Sequence, residues 1–209
     1  MKNIALLIVD VQNDFVSGGA LEVNNGEFII KTINKIQYKF DLVVATQDWH
    51  PANHKSFASM HKKKKVGDFI DLNGVKQILW PDHCIENTLG SALVMQLNQN
   101  RIHKVIQKGN NPEIDSYSGF FENDKKTQTE LDDYLKENNI DTLYICGLAT
   151  DYCVRFTAND AANLGYKTYL IEDACKGVNL SPKDSELAIK DMESNGVIVV
   201  NSEDILTSR

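Results

Sequence analysis

The run Ile4-Ala-Leu-Leu-Ile-Val9 constrains this chain more than any other feature. Consecutive apolar residues leave no polar face, so a strand formed here must be buried on both sides. Such a strand belongs inside a parallel sheet that is covered by helices. Five more segments read as strands: Leu42 to Thr46 reaching on to Asp48, His103 to Gln107, Thr142 to Cys146, Thr168 to Ile171 and Val197 to Val200. Between them, apolar residues recur at helical spacing. Phe28, Ile29, Ile33 and Ile36 follow the turn-forming Asn24-Asn25-Gly26. Further helices are expected over Gly90 to Leu97, around Leu131 and Leu135, and over Ala158 to Leu164 before Gly165. A last helix should run from Ser181-Pro182 to about Asn195. This alternation predicts an α/β fold: a three-layer α/β/α arrangement with a mostly parallel, six-stranded, doubly wound sheet. The segment from about 50 to 88 is irregular and is expected to form a lid, because long loops in compact domains usually serve function. At 209 residues the chain, 1–209, suits a single domain.

Charge and cysteine usage exclude several classes of function. The net charge is −7, which repels the phosphate backbone and argues against a nucleic-acid partner. Lys62 to Lys65 interrupt this background and read as a solvated loop tip. The apolar runs are too short to span a bilayer, so no membrane partner is expected. Cys84, Cys146, Cys153 and Cys175 do not suggest a disulfide framework in a chain of this length, and reduced thiols point to a cytoplasmic location. Oligomeric state is not legible, and a homo-oligomer is compatible with the sequence.

In a doubly wound sheet, ligands bind beyond the carboxyl ends of the strands. Asp10 closes the first expected strand, Asp48 the second and Lys108 the third, while Cys153 follows the fourth. Their coincidence at that edge argues for an enzyme. A thiol at the start of a helix feels the positive end of the dipole, so Cys153 is expected to have a lowered pKa and to act as nucleophile. Backbone N–H groups in the same turn could hold an oxyanion. Asp10 could serve as its base, with Lys108 steadying the carboxylate; by itself Lys108 would be an ordinary solvated lysine. In Asp48-Trp49-His50-Pro51, an extended backbone points Asp48 and His50 the same way, towards one metal ion. His83, in the lid, could close that site, leaving open positions as in a catalytic centre. His54 is an extra ligand or a group supporting one.

These segments together resemble the nicotinamidase family of the isochorismatase-like cysteine hydrolases. The matching residues are Asp10-Val-Gln-Asn-Asp-Phe15 with Gly18-Gly-Ala-Leu21, Asp48-Trp-His-Pro-Ala-Asn-His54 with Ser56-Phe57, and Trp80-Pro-Asp-His-Cys84. Lys108-Gly109, Tyr117-Ser-Gly-Phe120 and Gly147-Leu-Ala-Thr-Asp-Tyr-Cys-Val154 complete them, in family order. The resemblance implies a catalytic triad of Asp10, Lys108 and Cys153, and an oxyanion hole from the N–H groups of Ala149 and Cys153. It implies metal ligands Asp48, His50 and His83 and aromatic ring walls Phe15 and Trp80, and it makes the Leu148–Ala149 peptide a candidate for the cis form. It also implies one divalent transition-metal ion, zinc by first choice and iron or manganese otherwise. The activity implied is hydrolysis of nicotinamide, and of pyrazinamide, to the acid and ammonia through a thioester, in NAD salvage. Two other readings stay open: an amidase of the same superfamily acting on a carbamoyl or ureido substrate, and a metallohydrolase in which Cys153 is structural. A third, a non-enzymatic scaffold on the same fold, would be expected to have lost Asp10, Lys108 or Cys153.

Overall fold

The computed structural model describes residues 3–207. Its strands in chain order are β1 (Ile4–Val9), β2 (Leu42–Asp48), β3 (Phe69–Leu72), β4 (Val75–Ile78), β5 (Lys104–Lys108), β6 (Thr142–Leu148), β7 (Lys167–Lys176) and β8 (Ile198–Val200). The first apolar run forms β1, and Ala5 through Val9 are fully buried. Six strands make one sheet in the order β5-β2-β1-β6-β7-β8, and every pairing within it is parallel. Counted along the chain, that order is 3-2-1-4-5-6, the doubly wound arrangement expected from the alternating pattern. The chain winds outward from β1 in one direction, then returns and winds outward from β6 in the other. The loops leaving β1 and β6 therefore diverge, and a crevice opens between them at the carboxyl edge.

The helices are α1 (Ile30–Ile36), α2 (Leu131–Glu137), α3 (Arg155–Asn163), α4 (Asp184–Ser194) and α5 (Ser202–Thr207). Right-handed crossovers put α1 on one face of the sheet and α3 and α4 on the other. Packing agrees, with α1 against α5 and α3 against α4. α1 turns Ile30, Ile33 and Ile36 inward, a single apolar stripe. Ala158 and Ala161 give α3 a small-residue face that is wholly buried, and β7 is among its neighbours. Among the described residues no helix is long and apolar enough to cross a membrane.

Three expectations need correction. No helix forms over 90–97. That segment instead lies along the chain after β1, with Asn13 N–H donating to Ala92 O, Asp14 N–H to Gly90 O, and Val94 N–H to Val11 O, each at 3.0 Å. Backbone partners supplied from outside the segment replaced the bonds a helix would have made. The lid is not wholly irregular either: β3 and β4 pair as an antiparallel hairpin across Asn73-Gly74. Finally, β7 is ten residues long and outlasts the expected Thr168 to Ile171, with an irregular register against β6 after Ile145. The lysine run behaves as read: Lys62 to Lys65 are exposed.

Candidate active site

Asp10, Lys108 and Cys153 meet in the crevice between β1 and β6. Asp10 takes a φ of +49°, which turns the chain out of β1. The Thr46 hydroxyl holds it twice, donating to Oδ1 at 2.5 Å and accepting from the Asp10 N–H at 3.2 Å. Asp10 Oδ2 faces Lys108 Nζ at 2.9 Å. Lys108 is only 2% exposed, so it is not a solvated lysine. Its ammonium donates to the Ser116 carbonyl at 2.8 Å, pairs with Asp48 Oδ1, and lies 3.6 Å from Cys153 Sγ. Cys153 sits in a widened π-type turn, Thr150–Val154, that leads into α3. Such turns recur at functional sites. The Leu148–Ala149 peptide just before it is cis, the form for which the resemblance made it a candidate.

Burial and charge compete in this cluster. Burial pushes the Asp10 carboxyl above its ordinary range, against the pull of the Lys108 ammonium. Burial also disfavours charge on Asp48, but Lys108 and the imidazoles of His50 and His83 hold that carboxyl well below the usual range. On Lys108 the desolvation is outweighed by Asp10 and Asp48, and its pKa stands well above that of a free lysine. The Cys153 thiol goes opposite to the expectation from the helix terminus. Burial drives it well above an ordinary cysteine although Lys108 pulls the other way, so the resting group is a thiol.

Asp48, His50 and His83 form the second half of the site. The lid segment 80–84 runs beside 50–57, tied by the Trp80 N–H to Ser56 O at 2.9 Å and the His50 N–H to Cys84 O at 3.0 Å. This pairing brings His83 to His50. Asp48 Oδ2 lies 3.6 Å from His50 Nε2 and 3.9 Å from His83 Nε2. Each ring turns its other nitrogen to a carbonyl, His50 Nδ1 to Gly109 O at 2.9 Å and His83 Nδ1 to Pro81 O at 2.8 Å. A carbonyl only accepts, so Nδ1 carries a proton in each ring, and in the neutral ring Nε2 presents a lone pair. His50 Nε2 is buried with no hydrogen-bond partner. Donors at about 2.0–2.1 Å from a tetrahedral ion would stand about 3.3 Å apart, so this trio fits a divalent transition metal. His54 is outside the trio. Its ring packs 4.4 Å from that of His50 and its nitrogens face Ser56 Oγ and Ile114 O, while burial and the neighbouring His50 lower its pKa to about 4.

A narrow cavity joins the two halves. Phe15 and Trp80 line it, together with Cys153, Ala149, Asp48 and His83. Leu21, Asp115, Tyr117, Tyr152 and Val178 line it too, although the sequence reading gave none of them a role. Tyr117 and Tyr152 lay within quoted motifs, and aromatic residues beside a reactive turn were the available signal. Trp80 Nε1 donates to Tyr117 Oη at 3.1 Å, and the Trp80 and Tyr152 rings meet edge to face at 4.9 Å. A larger surface depression, about 1070 Å³, lies beside α1 and contains none of these residues.

Comparison with known proteins agrees with the geometry. Residues 4–204 match the Isochorismatase domain family. The chain is 48% identical over 196 residues to a nicotinamidase of Escherichia coli (strain K12), covering 92% of each chain. The structure of a nicotinamidase and pyrazinamidase of Acinetobacter baumanii superposes with a TM-score of 0.95 at 47% identity, over 98% of this chain and 99% of that one. A pyrazinamidase of Pyrococcus horikoshii in complex with zinc superposes with a TM-score of 0.77 at 39% identity, over 95% and 99%. The chain is thus a hydrolase, and it belongs to the nicotinamidase family of isochorismatase-like enzymes.

Proposed function

We propose that this chain hydrolyses nicotinamide, and pyrazinamide, to the corresponding acid and ammonia. The observation that carries this reading is a cavity with aromatic walls on which a buried thiol, carboxylate and ammonium converge with a divalent-metal donor set. The relatives named nicotinamidase and pyrazinamidase support the choice of substrate. The whole chain acts as one catalytic unit, with 50–88 as its lid.

Asp10, whose raised pKa makes it the better proton acceptor, takes the proton of Cys153. The sulfur then attacks the carboxamide carbon, facing the Lys108 ammonium as it does so. Backbone N–H groups of Ala149 and Cys153 receive the developing oxyanion. Asp10 returns the proton to the departing nitrogen and ammonia leaves. Asp10 next draws a proton from water, whose oxygen attacks the thioester carbon; the carbon–sulfur bond breaks, Asp10 returns the proton to the leaving sulfur, and the acid departs with Cys153 restored as a thiol. Asp48, His50 and His83 would hold one divalent ion, zinc first, and the ion would supply a Lewis-acid anchor for the ring nitrogen. Phe15 and Trp80 would sandwich the ring. The role in NAD salvage and the cytoplasmic location are parts of the same proposal.

Ammonia release from nicotinamide, pyrazinamide and benzamide tests it directly. The first two should turn over and benzamide, lacking the ring nitrogen, should not. Absence of release from both heteroaromatic amides would sink the reading. A carbamoyl or ureido substrate is disfavoured because the walls are aromatic and the cavity is narrow.

A further inference from the structure

The turn that carries Cys153 holds a buried carboxylate of its own, which the chemistry above does not use. Asp151 is 4% exposed, and both its oxygens are occupied by one loop. Oδ1 accepts from the Val178 N–H at 2.9 Å and Oδ2 from the Asn179 N–H at 2.7 Å. Successive backbone N–H groups aimed at one anion form a nest, and Asn179 adopts the left-handed conformation common in nests, at φ +52°. The Asn179 side chain extends the link, donating to Gly177 O at 3.2 Å and accepting from the Ser185 N–H of α4 at 2.9 Å. Pairing of β7 with β6 ends at Leu148 and Lys176, so Val178 lies beyond the last sheet contact. Yet Val178 is part of the cavity wall, with Tyr152 and Cys153.

We propose that Asp151 is a positioning residue that sets ring specificity, by tying the Val178 wall to the same turn that presents the nucleophile. This inference rests on the amidase reading and names what limits its substrates: unsubstituted six-membered heteroaromatic carboxamides. Nucleophile and wall share one anchor, so ring and thiol keep a constant separation. A loosened wall admits a larger ring and binds the natural one less well, while the chemistry at Cys153 continues.

Two variants disturb this tie from opposite ends. In Asp151→Asn the carboxamide can accept from one N–H but turns its own N–H at the other. In Gly177→Ala a new Cβ would stand 2.0 Å from Ser185 Oγ and 3.0 Å from Asp151 Oδ1, so the loop is crowded off Asp151 while every side chain of the Cys153 turn is kept. Both should raise KM for nicotinamide about tenfold with kcat within about threefold, the pattern for lost ground-state binding. Both should also gain turnover of 5-methylnicotinamide, and hydrogen exchange at the Val178 and Asn179 amides should quicken. Val178→Ala should gain the methylated substrate without faster exchange at Asn179. Unchanged exchange in Asp151→Asn would overturn the tie. Faster exchange with unchanged KM and unchanged ring selectivity would overturn the specificity role. If Asp151→Asn does not fold, Gly177→Ala and Val178→Ala decide the question alone. Wild-type protein inert towards nicotinamide would overturn the amidase reading, while the exchange measurement would still report on the tie.

Discussion

Cys153, Asp10 and Lys108 form a unit in which each side chain sets the state of the others. Cys153→Ala should abolish turnover without unfolding the chain, and mass spectrometry with a slow substrate should place an acyl adduct on the Cys153 peptide and not on Cys84. Retained turnover would remove the covalent route. Lys108→Ala should do more than slow the reaction. It leaves Asp10 and Asp48 buried without their shared cation, and breaking a buried pair costs about 3–5 kcal/mol. Turnover should fall by orders of magnitude, as for members of one catalytic unit. Lys108→Arg should not restore it, since a forked guanidinium replaces a point charge held between two carboxylates, a carbonyl and a sulfur. A folded Lys108→Ala protein with near-normal turnover would leave only Asp10 and Cys153 as partners. At this scale the sequence was informative where residues close strands, because a strand's end is readable and its edge in a parallel sheet follows. The state of Cys153 was not readable. A helix terminus lowers a thiol pKa by a local effect, and burial, which depends on every neighbour, overrides it. Asp115 and Val178 escaped notice for a related reason, since loops bring them to the cavity and nothing nearby in the sequence marks that approach.

The elements divide the work between the sheet, which aligns Asp10, Asp48 and Lys108, and the lid, which delivers His83. The join between them is tight at Gly109, whose φ is +70° and where an added Cβ would stand 2.4 Å from His50 Cε1. Gly109→Ala should therefore push the His50 ring off its position. Elemental analysis should find metal content reduced well below one ion per chain, as in His50→Ala. Full occupancy in either variant would argue against the assigned ligands. The six sheet strands were legible because continuous apolar runs report burial on both faces. The hairpin of β3 and β4 was less so. Its turn, Asn73-Gly74, is a strong hairpin signal, but the flanking Phe69-Ile-Asp-Leu72 and Val75-Lys-Gln-Ile78 are only four residues each and neither alternates apolar with polar. The segment 90–97 misled in the opposite direction. Its apolar residues suit a helix in isolation, yet Val94 and Leu97 are buried from a segment of successive turns that bonds the chain beyond β1.

For the molecule as a whole, the metal donors span β2 and the lid, so an ion bound there ties two distant parts of the chain together. Zinc at a hundred times its Kd should stabilise the native state by about 2.7 kcal/mol. For a chain of this size that is a rise in Tm of roughly 5–10 °C. A chelator should reverse the rise, and His83→Ala should not show it; an equal rise in that variant would remove His83 from the site. The three layers and the parallel, doubly wound sheet were open to reading from the sequence because they follow from strands and helices alternating along the chain, whereas the strand order emerges only in the structure. The cavity was not, since it depends on how loops from both windings settle over the carboxyl edge of the sheet. One carboxylate joins its two halves: Asp48 offers Oδ1 to Lys108 and Oδ2 to the imidazoles of His50 and His83. A substitution there chosen to change metal preference would alter the field at Cys153 in the same step. Under the proposed mechanism, no single substitution at position 48 could act on the metal half of the site without also acting on the thiol half.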